Sequence, residues 1–87
     1  MNDFTFTKEA FEDYMYWQTQ DKKTLKRINA FLKDIRSNGA LEGTGKPEKL
    51  KYRKGYSRRI DDSNRLVYVI DELQNIKIIS CRGHYEE

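Results

Sequence analysis

The spacing of apolar side chains changes from a strand period to a helical period within the first residues of the chain. Residues 2–6 alternate, with Phe4 and Phe6 on one side, which predicts a half-buried strand. Thr7 is a suitable N-cap for a following helix, and Glu9 lies favourably in its first turn. The apolar stripe predicted for this helix consists of Ala10, Phe11, Tyr14 and Trp17. The first helix should end near Gln20.

A second helix follows almost at once, with Asp21 as its N-cap and Asn38-Gly39 as its end. One face of this helix is apolar and is formed by Leu25, Ile28, Phe31, Leu32 and Ile35. So short a connection predicts a helical hairpin whose apolar faces need a further layer to cover them.

The second half of the chain has the pattern of strands. Residues 39–47 contain three glycines and Pro47, which indicates an ordered loop. Strands are then predicted at residues 48–52, 56–60, 65–70 and 76–81. Short polar turns separate the last three, so they should form an antiparallel meander. The order predicts an α+β fold in which two N-terminal helices pack on a mostly antiparallel sheet of about five strands.

Composition limits the class of protein. With 87 residues, the chain has room for a single domain spanning residues 1–87. Its aromatic content of 13% is too high for a disordered chain. No apolar run approaches the roughly 18 residues of a membrane span, and the N-terminus lacks the features of a signal peptide, so we expect a cytoplasmic protein without a membrane partner. A lone cysteine, Cys81, and a lone histidine, His84, predict neither a disulfide nor a metal or other cofactor.

Positive charge is concentrated in one part of the chain. Residues 46–59, here called the basic segment, contain seven basic side chains and one acid, so the segment carries a net charge of 7 − 1 = +6. The whole chain carries +3, which leaves −3 for the remainder. Such a segment attracts a polyanion because neutralised phosphates release condensed counterions.

Three side chains of the predicted sheet have the chemistry needed to cleave RNA. Hairpin pairing should bring Arg59 and Arg65 together across the turn between their strands. If the site converges, Glu48 can accept the proton of a 2′-hydroxyl, Arg65 can stabilise the phosphorane charge, and His84 can protonate the leaving 5′-oxygen. Further phosphate contacts are available from Lys51, Arg58 and Arg59, and base-stacking faces from Tyr52, Tyr56 and Tyr85.

Each of these residues also has an ordinary interpretation. Glu48 can pair with neighbouring lysines, Arg65 can pair with Asp61 or Asp62, and His84 can be merely solvated. A register slip of one residue would reverse the facing of every strand side chain. A non-catalytic RNA- or DNA-binding module that uses the basic segment is therefore an alternative from the residues alone.

Several segments together resemble the Txe/YoeB family of toxins, within the RelE-like superfamily. They are residues 14–18 (YMYWQ), 26–29 (KRIN), 43–51 (GTGKPEKLK), 57–60 (SRRI), 65–68 (RLVY) and 81–85 (CRGHY). The resemblance extends over nearly the whole chain.

The resemblance implies a RelE/YoeB-like microbial RNase fold with a curved sheet. It also implies a metal-independent endoribonuclease that enters the ribosomal A site and cuts messenger RNA, leaving a 2′,3′-cyclic phosphate and a 5′-hydroxyl. The position of Glu48 corresponds to the family's general base, Arg65 to the transition-state cation and His84 to the general acid. Lys51 and Arg59 correspond to phosphate-binding positions, and Tyr85 to a substrate position.

The partners implied by the resemblance are messenger RNA, the ribosome and a YefM-like antitoxin, and a toxin homodimer is a further possibility. Operator DNA would be bound only through the antitoxin complex. A toxin of related fold that acts on a target other than RNA is a further alternative.

Overall fold

The computed structural model describes residues 3–83, which form five strands and two helices. Their bounds are β1 Phe4–Phe6, α1 Lys8–Gln20, α2 Lys22–Asn38, β2 Glu48–Lys49, β3 Tyr56–Arg59, β4 Arg65–Ile70 and β5 Ile76–Ser80. The sheet order is β1-β5-β4-β3-β2, with β1 parallel to β5 and the other neighbours antiparallel. The predicted α+β fold, with two helices on a mostly antiparallel sheet, is confirmed. Neither helix within residues 3–83 is long and apolar enough to cross a membrane.

The predicted N-caps of the two helices are confirmed by their hydrogen bonds. The Thr7 hydroxyl accepts from the backbone N–H of Ala10 at 3.1 Å. The Asp21 carboxylate accepts from the backbone N–H of Lys23 at 3.0 Å and from the Thr24 hydroxyl at 2.9 Å. These bonds satisfy donors that the first turn of a helix leaves without partners.

The core lies between the helices and one face of the sheet, and it corrects two assignments. Ala10 and Trp17 are buried and Tyr14 packs against them, whereas Phe11 is 57% exposed. Phe11 lies about 100° around the helix from Ala10, outside the narrow arc that meets the sheet. Phe6 is also more exposed than predicted, because its strand is at the edge of the sheet; its ring packs against Tyr14 at the border of the core.

The second strand is shorter than the predicted range of residues 48–52. After Lys49 the backbone N–H of Leu50 donates to the carbonyl of Gly55 at 2.9 Å, and the chain turns away from the sheet. Gly55 has a φ of +132°, and a Cβ there would lie 2.9 Å from the carbonyl oxygen of Tyr68. Only glycine fits both the backbone conformation and the close approach.

Arg58 is fully buried, although it was predicted to bind phosphate. Its five guanidinium N–H groups face protein acceptors: Tyr68 Oη at 3.1 Å, Asp34 Oδ2 at 2.5 Å and the carbonyls of Thr44, Glu42 and Gly39 at 3.0, 2.9 and 3.2 Å. The bond from Arg58, with a further one from Asn38, lowers the pKa of the Asp34 carboxyl. No guanidinium donor is left for a phosphate. The prediction for Arg58 was therefore wrong: the residue fixes the loop of residues 39–45 to β3 and α2.

Replacing Arg58 by methionine should reduce the free energy of unfolding by about 3 to 5 kcal/mol, because one member of a buried ion pair would be removed. Arg59→Ala is the matched control, since Arg59 pairs with Asp62 at the surface and such pairs contribute less than about 1 kcal/mol. Urea unfolding followed by circular dichroism measures both variants. Equal losses in the two would contradict the structural role of Arg58.

Candidate active site

Alternation along β3 and β4 assigns their side chains to two faces of the sheet. Tyr56 and Tyr68 pack in the core with the helices, and Arg58 reaches α2. Successive side chains of a strand point to opposite faces. The residues between them, Ser57, Arg59, Arg65 and Val67, therefore lie on the face directed away from the helices, here called the open face.

One row of residues crosses four strands on the open face. Glu48 is paired with Ser57, Ser57 with Val67, and Val67 with Ser80. Ser57, Val67 and Ser80 are small and buried, whereas Glu48 at the end of the row is exposed. The row presents a carboxylate beside a floor of short side chains.

A second row on the same face contains two arginines. Arg59 is the cross-strand partner of Arg65, which confirms that the turn between β3 and β4 brings them together. Asp62 pairs with Arg59. From strand spacing and rise, the Cα atoms of Glu48 and Arg65 lie roughly 12 Å apart, two strands across and two residues along. Side chains of this length can reach a common phosphate between them.

Residues 81–83, here called the anchor segment, are held against α1. The indole Nε1 of Trp17 donates to the carbonyl of Cys81 at 2.8 Å, and the backbone N–H of Cys81 donates to Asp13 Oδ2 at 3.0 Å. The Arg82 guanidinium lies 3.6 Å from the centroid of the Tyr16 ring. These contacts fix the end of β5, where the extra residue of a bulge between the Val67 and Tyr68 pairs bends the strand.

The same segment is tied to the start of β4. The backbone N–H of Gly83 donates to Asn64 Oδ1 at 2.8 Å, and the backbone N–H of Arg65 donates to the Gly83 carbonyl at 3.1 Å. Gly83 directly precedes His84 in the sequence. Gly83, the residue before His84, therefore lies beside Arg65. His84 and Tyr85 themselves lie outside the described residues.

The remaining predicted site residues are less convergent. Lys51 and Tyr52 are exposed in the bend between β2 and β3, at the opposite end of β3 from Arg59. The Tyr56 ring stacks on Tyr68 at 6.0 Å on the helix side, opposite to the face of Arg59 and Arg65. Arg58 is in the core. Glu48, Arg59 and Arg65 are thus the predicted residues that the described sheet brings to one face.

Sequence reasoning missed the residues that hold the anchor segment. Asp13 and Asn64 were not singled out, and Trp17 was interpreted as a packing residue without its hydrogen bond. Their bonds join positions 68, 19 and 64 residues apart. No local period signals such pairs, because the partners meet only in the folded chain.

The basic segment contributes positive charge to the surface through all of its basic side chains except Arg58. Arg58 is neutralised internally by Asp34, and the other basic side chains of the segment are exposed. Between residues 3 and 83, no three His, Cys, Asp or Glu side chains are grouped so that they could hold a metal ion.

Comparison with known proteins identifies the family. Residues 6–85 match the family described as YoeB-like toxin of bacterial type II toxin–antitoxin systems. The chain belongs to this toxin family. The resemblance found in the sequence is thereby confirmed.

Individual relatives agree with this family. A YoeB toxin from Synechocystis sp. is 48% identical over 83 residues, covering 93% of this chain and 94% of the relative. The structure of a YoeB–YefM complex from Staphylococcus aureus matches with a TM-score of 0.86 at 54% identity, covering 98% of this chain and 99% of that chain. A YoeB dimer from the same organism matches with a TM-score of 0.87 at 56% identity, covering 97% and 98%. The YoeB-like fold therefore extends over nearly the whole toxin chain.

The anchor segment makes a prediction about thiol reactivity. Burial, assisted by the nearby charge of Asp13, raises the pKa of Cys81 from 9.0 to about 12. Because the thiolate is the reactive form, Cys81 should react with a disulfide reagent at pH 8 about 100-fold or more slowly in the folded protein than in denaturant. Absorbance of the released thiol measures the rate. Equal rates would show that residues 81–83 are not held as described.

Proposed function

We propose that this YoeB-like toxin is a ribosome-dependent endoribonuclease that cleaves messenger RNA in the ribosomal A site and so inhibits translation. The observation that carries the proposal is the open face, where Glu48 lies on the same side of the sheet as Arg59 and Arg65. A second supporting observation is the hydrogen bond that holds Gly83, the residue before His84, beside Arg65. Family membership supports the same assignment.

The proposed reaction is an attack of the RNA 2′-hydroxyl on the adjacent phosphorus. Glu48 accepts the 2′-hydroxyl proton, a bond forms from that oxygen to phosphorus, and the bond from phosphorus to the 5′-oxygen breaks. His84 donates a proton to the departing 5′-oxygen. The products are a 2′,3′-cyclic phosphate and a 5′-hydroxyl, and the atoms balance without a metal or other cofactor.

The cations of the site stabilise the negative charge that develops on the phosphate. Arg65 is the proposed principal cation, and Arg59, its cross-strand neighbour, contacts a phosphate oxygen. We assign Lys51 to a phosphate of the substrate backbone and Tyr85 to the substrate. Arg58 is omitted from the proposed site, since its donors all have partners in the core.

The proposed partners are the ribosome, its bound messenger and an antitoxin. The related Staphylococcus aureus YoeB is found in a complex with YefM and also as a dimer. We propose a YefM-like antitoxin for this chain, with an acidic segment that folds over the basic segment and masks the site. A toxin homodimer is proposed on the same ground. Operator DNA would be bound only through the antitoxin complex.

Glu48→Gln and His84→Gln should each lower the cleavage rate on the order of 100- to 10,000-fold, because general acid–base groups contribute that much. The assay adds purified toxin to a reconstituted translation reaction and maps messenger 5′ ends by primer extension. Glu72→Gln is the matched control, since Glu72 is an exposed glutamate in the turn between β4 and β5.

Circular dichroism should show that all three of these variants are folded. Cleavage unchanged in both Glu48→Gln and His84→Gln would refute the mechanism. Ribosome binding without any cleavage by the wild type would favour the non-catalytic binding module.

Lys51→Ala should weaken binding to programmed ribosomes and make it less dependent on salt, because each lost phosphate contact reduces the slope of log K against log salt by about one. Lys33→Ala serves as the control, since Lys33 is exposed on α2, in the layer on the other side of the sheet. Filter binding at several salt concentrations gives both slopes. An unchanged slope for Lys51→Ala would remove Lys51 from the proposed site.

A further inference from the structure

Gly83 has a backbone conformation that hydrogen bonds hold in place. Its φ is +79°, and a Cβ built there would meet no atom within 4 Å, so neighbouring atoms do not restrict it. Glycine adopts many backbone conformations at little cost. The path of the chain after Gly83 is therefore set by the two bonds that hold its peptide groups, one from Arg65 and one to Asn64.

The Asn64 side chain is itself held in one orientation. Its Nδ2 donates to both carboxylate oxygens of Asp61, at 3.0 and 3.1 Å, which directs Oδ1 towards the N–H of Gly83. Asp61 is fixed in turn by the backbone N–H of Ser63 at 2.8 Å. The turn between β3 and β4 thus presents a preset acceptor to the anchor segment.

These bonds relate two proposed chemical groups to one another. The chain advances only about 3.8 Å between the Cα atoms of Gly83 and His84. Asn64 lies immediately before Arg65 in the sequence, and its side chain holds the residue immediately before His84. A displacement of about 1 Å in a reacting group can lower a rate by roughly 100-fold.

We propose that Asn64 is a positioning residue, which holds the backbone of Gly83 against the start of β4 and so sets the point from which the chain continues to the proposed acid His84. This inference rests on the proposed function. Asn64 acts through the backbone of Gly83 and is not assigned to the substrate.

The chain contains a matched control for Asn64. Asn75 occupies the turn between β4 and β5, where its Nδ2 donates to Asp71 Oδ2 at 3.2 Å and its Oδ1 accepts from the backbone N–H of Asp3 at 3.0 Å. The two asparagines make the same kinds of bonds, but Asn75 lies at the opposite end of β4 from Arg65. Their substitutions should therefore affect stability alike and cleavage differently.

The test measures kcat and KM for cleavage on programmed ribosomes in wild type, Asn64→Ala, Asn75→Ala and His84→Gln, and in the double variant Asn64→Ala/His84→Gln. Asn64→Ala should lower kcat roughly 10- to 100-fold with little change in KM. Asn75→Ala should leave kcat within about twofold. In the His84→Gln background, Asn64→Ala should have almost no further effect, because the group that it positions is already absent.

Hydrogen exchange provides a measurement that does not depend on activity. The amide of Gly83 should exchange faster in Asn64→Ala than in wild type or Asn75→Ala, since its acceptor has been removed.

The outcomes separate this inference from the proposed function. An unchanged kcat for Asn64→Ala, together with a loss for His84→Gln, would overturn the inference alone. An equal loss from Asn64→Ala in both backgrounds would mean that Asn64 is merely structural, which also overturns it. If His84→Gln cleaved at the wild-type rate, the acid assignment would be overturned and, with it, the positioning role.

Discussion

Arg58 connects its own strand, β3, to three other parts of the molecule. From the middle of β3 it reaches Asp34 on α2, Tyr68 on β4 and three carbonyls of the loop of residues 39–45. A buried charge is costly unless it is paired and fully hydrogen-bonded, and here both conditions hold. The loop is also bonded to β3 at Gly45, whose carbonyl accepts from the backbone N–H of Arg59 at 2.9 Å, and it leads on to Glu48 in β2. The position of the proposed base thus depends on a buried ion pair that has no chemical role of its own.

The alternation of side chains along a strand explains why Arg58 is buried and its neighbour Arg59 is exposed. Arg58 points into the core and Arg59 points to the open face, although they are the same residue type in the same charged segment. The sheet separates the two tasks, because its helix side holds the core and its other side holds the residues proposed for catalysis. A site on strands is held more rigidly than one on loops, and Arg59 and Arg65 gain this advantage from their direct pairing.

The anchor segment is held by residues that are far away in the sequence. Trp17 and Asp13 hold Cys81 from α1, and Asn64 holds Gly83 from the turn before β4. The first helix therefore does more than cover the sheet, because it fixes the point from which the chain reaches His84. A single packing face of α1 serves both stability and the proposed chemistry.

The sequence by itself determined the helices, their caps, the number of strands and the turn that brings Arg59 to Arg65, because these follow from local periods and capping groups. The family was also recognisable from its motifs. Only the tertiary structure decided that Phe11 is exposed, that β2 ends at Lys49 and that Arg58 is internal. It also decided that Asn64 and Trp17 hold the anchor segment, since burial and long-range hydrogen bonds depend on which distant residues meet, and no local pattern of residues contains that information.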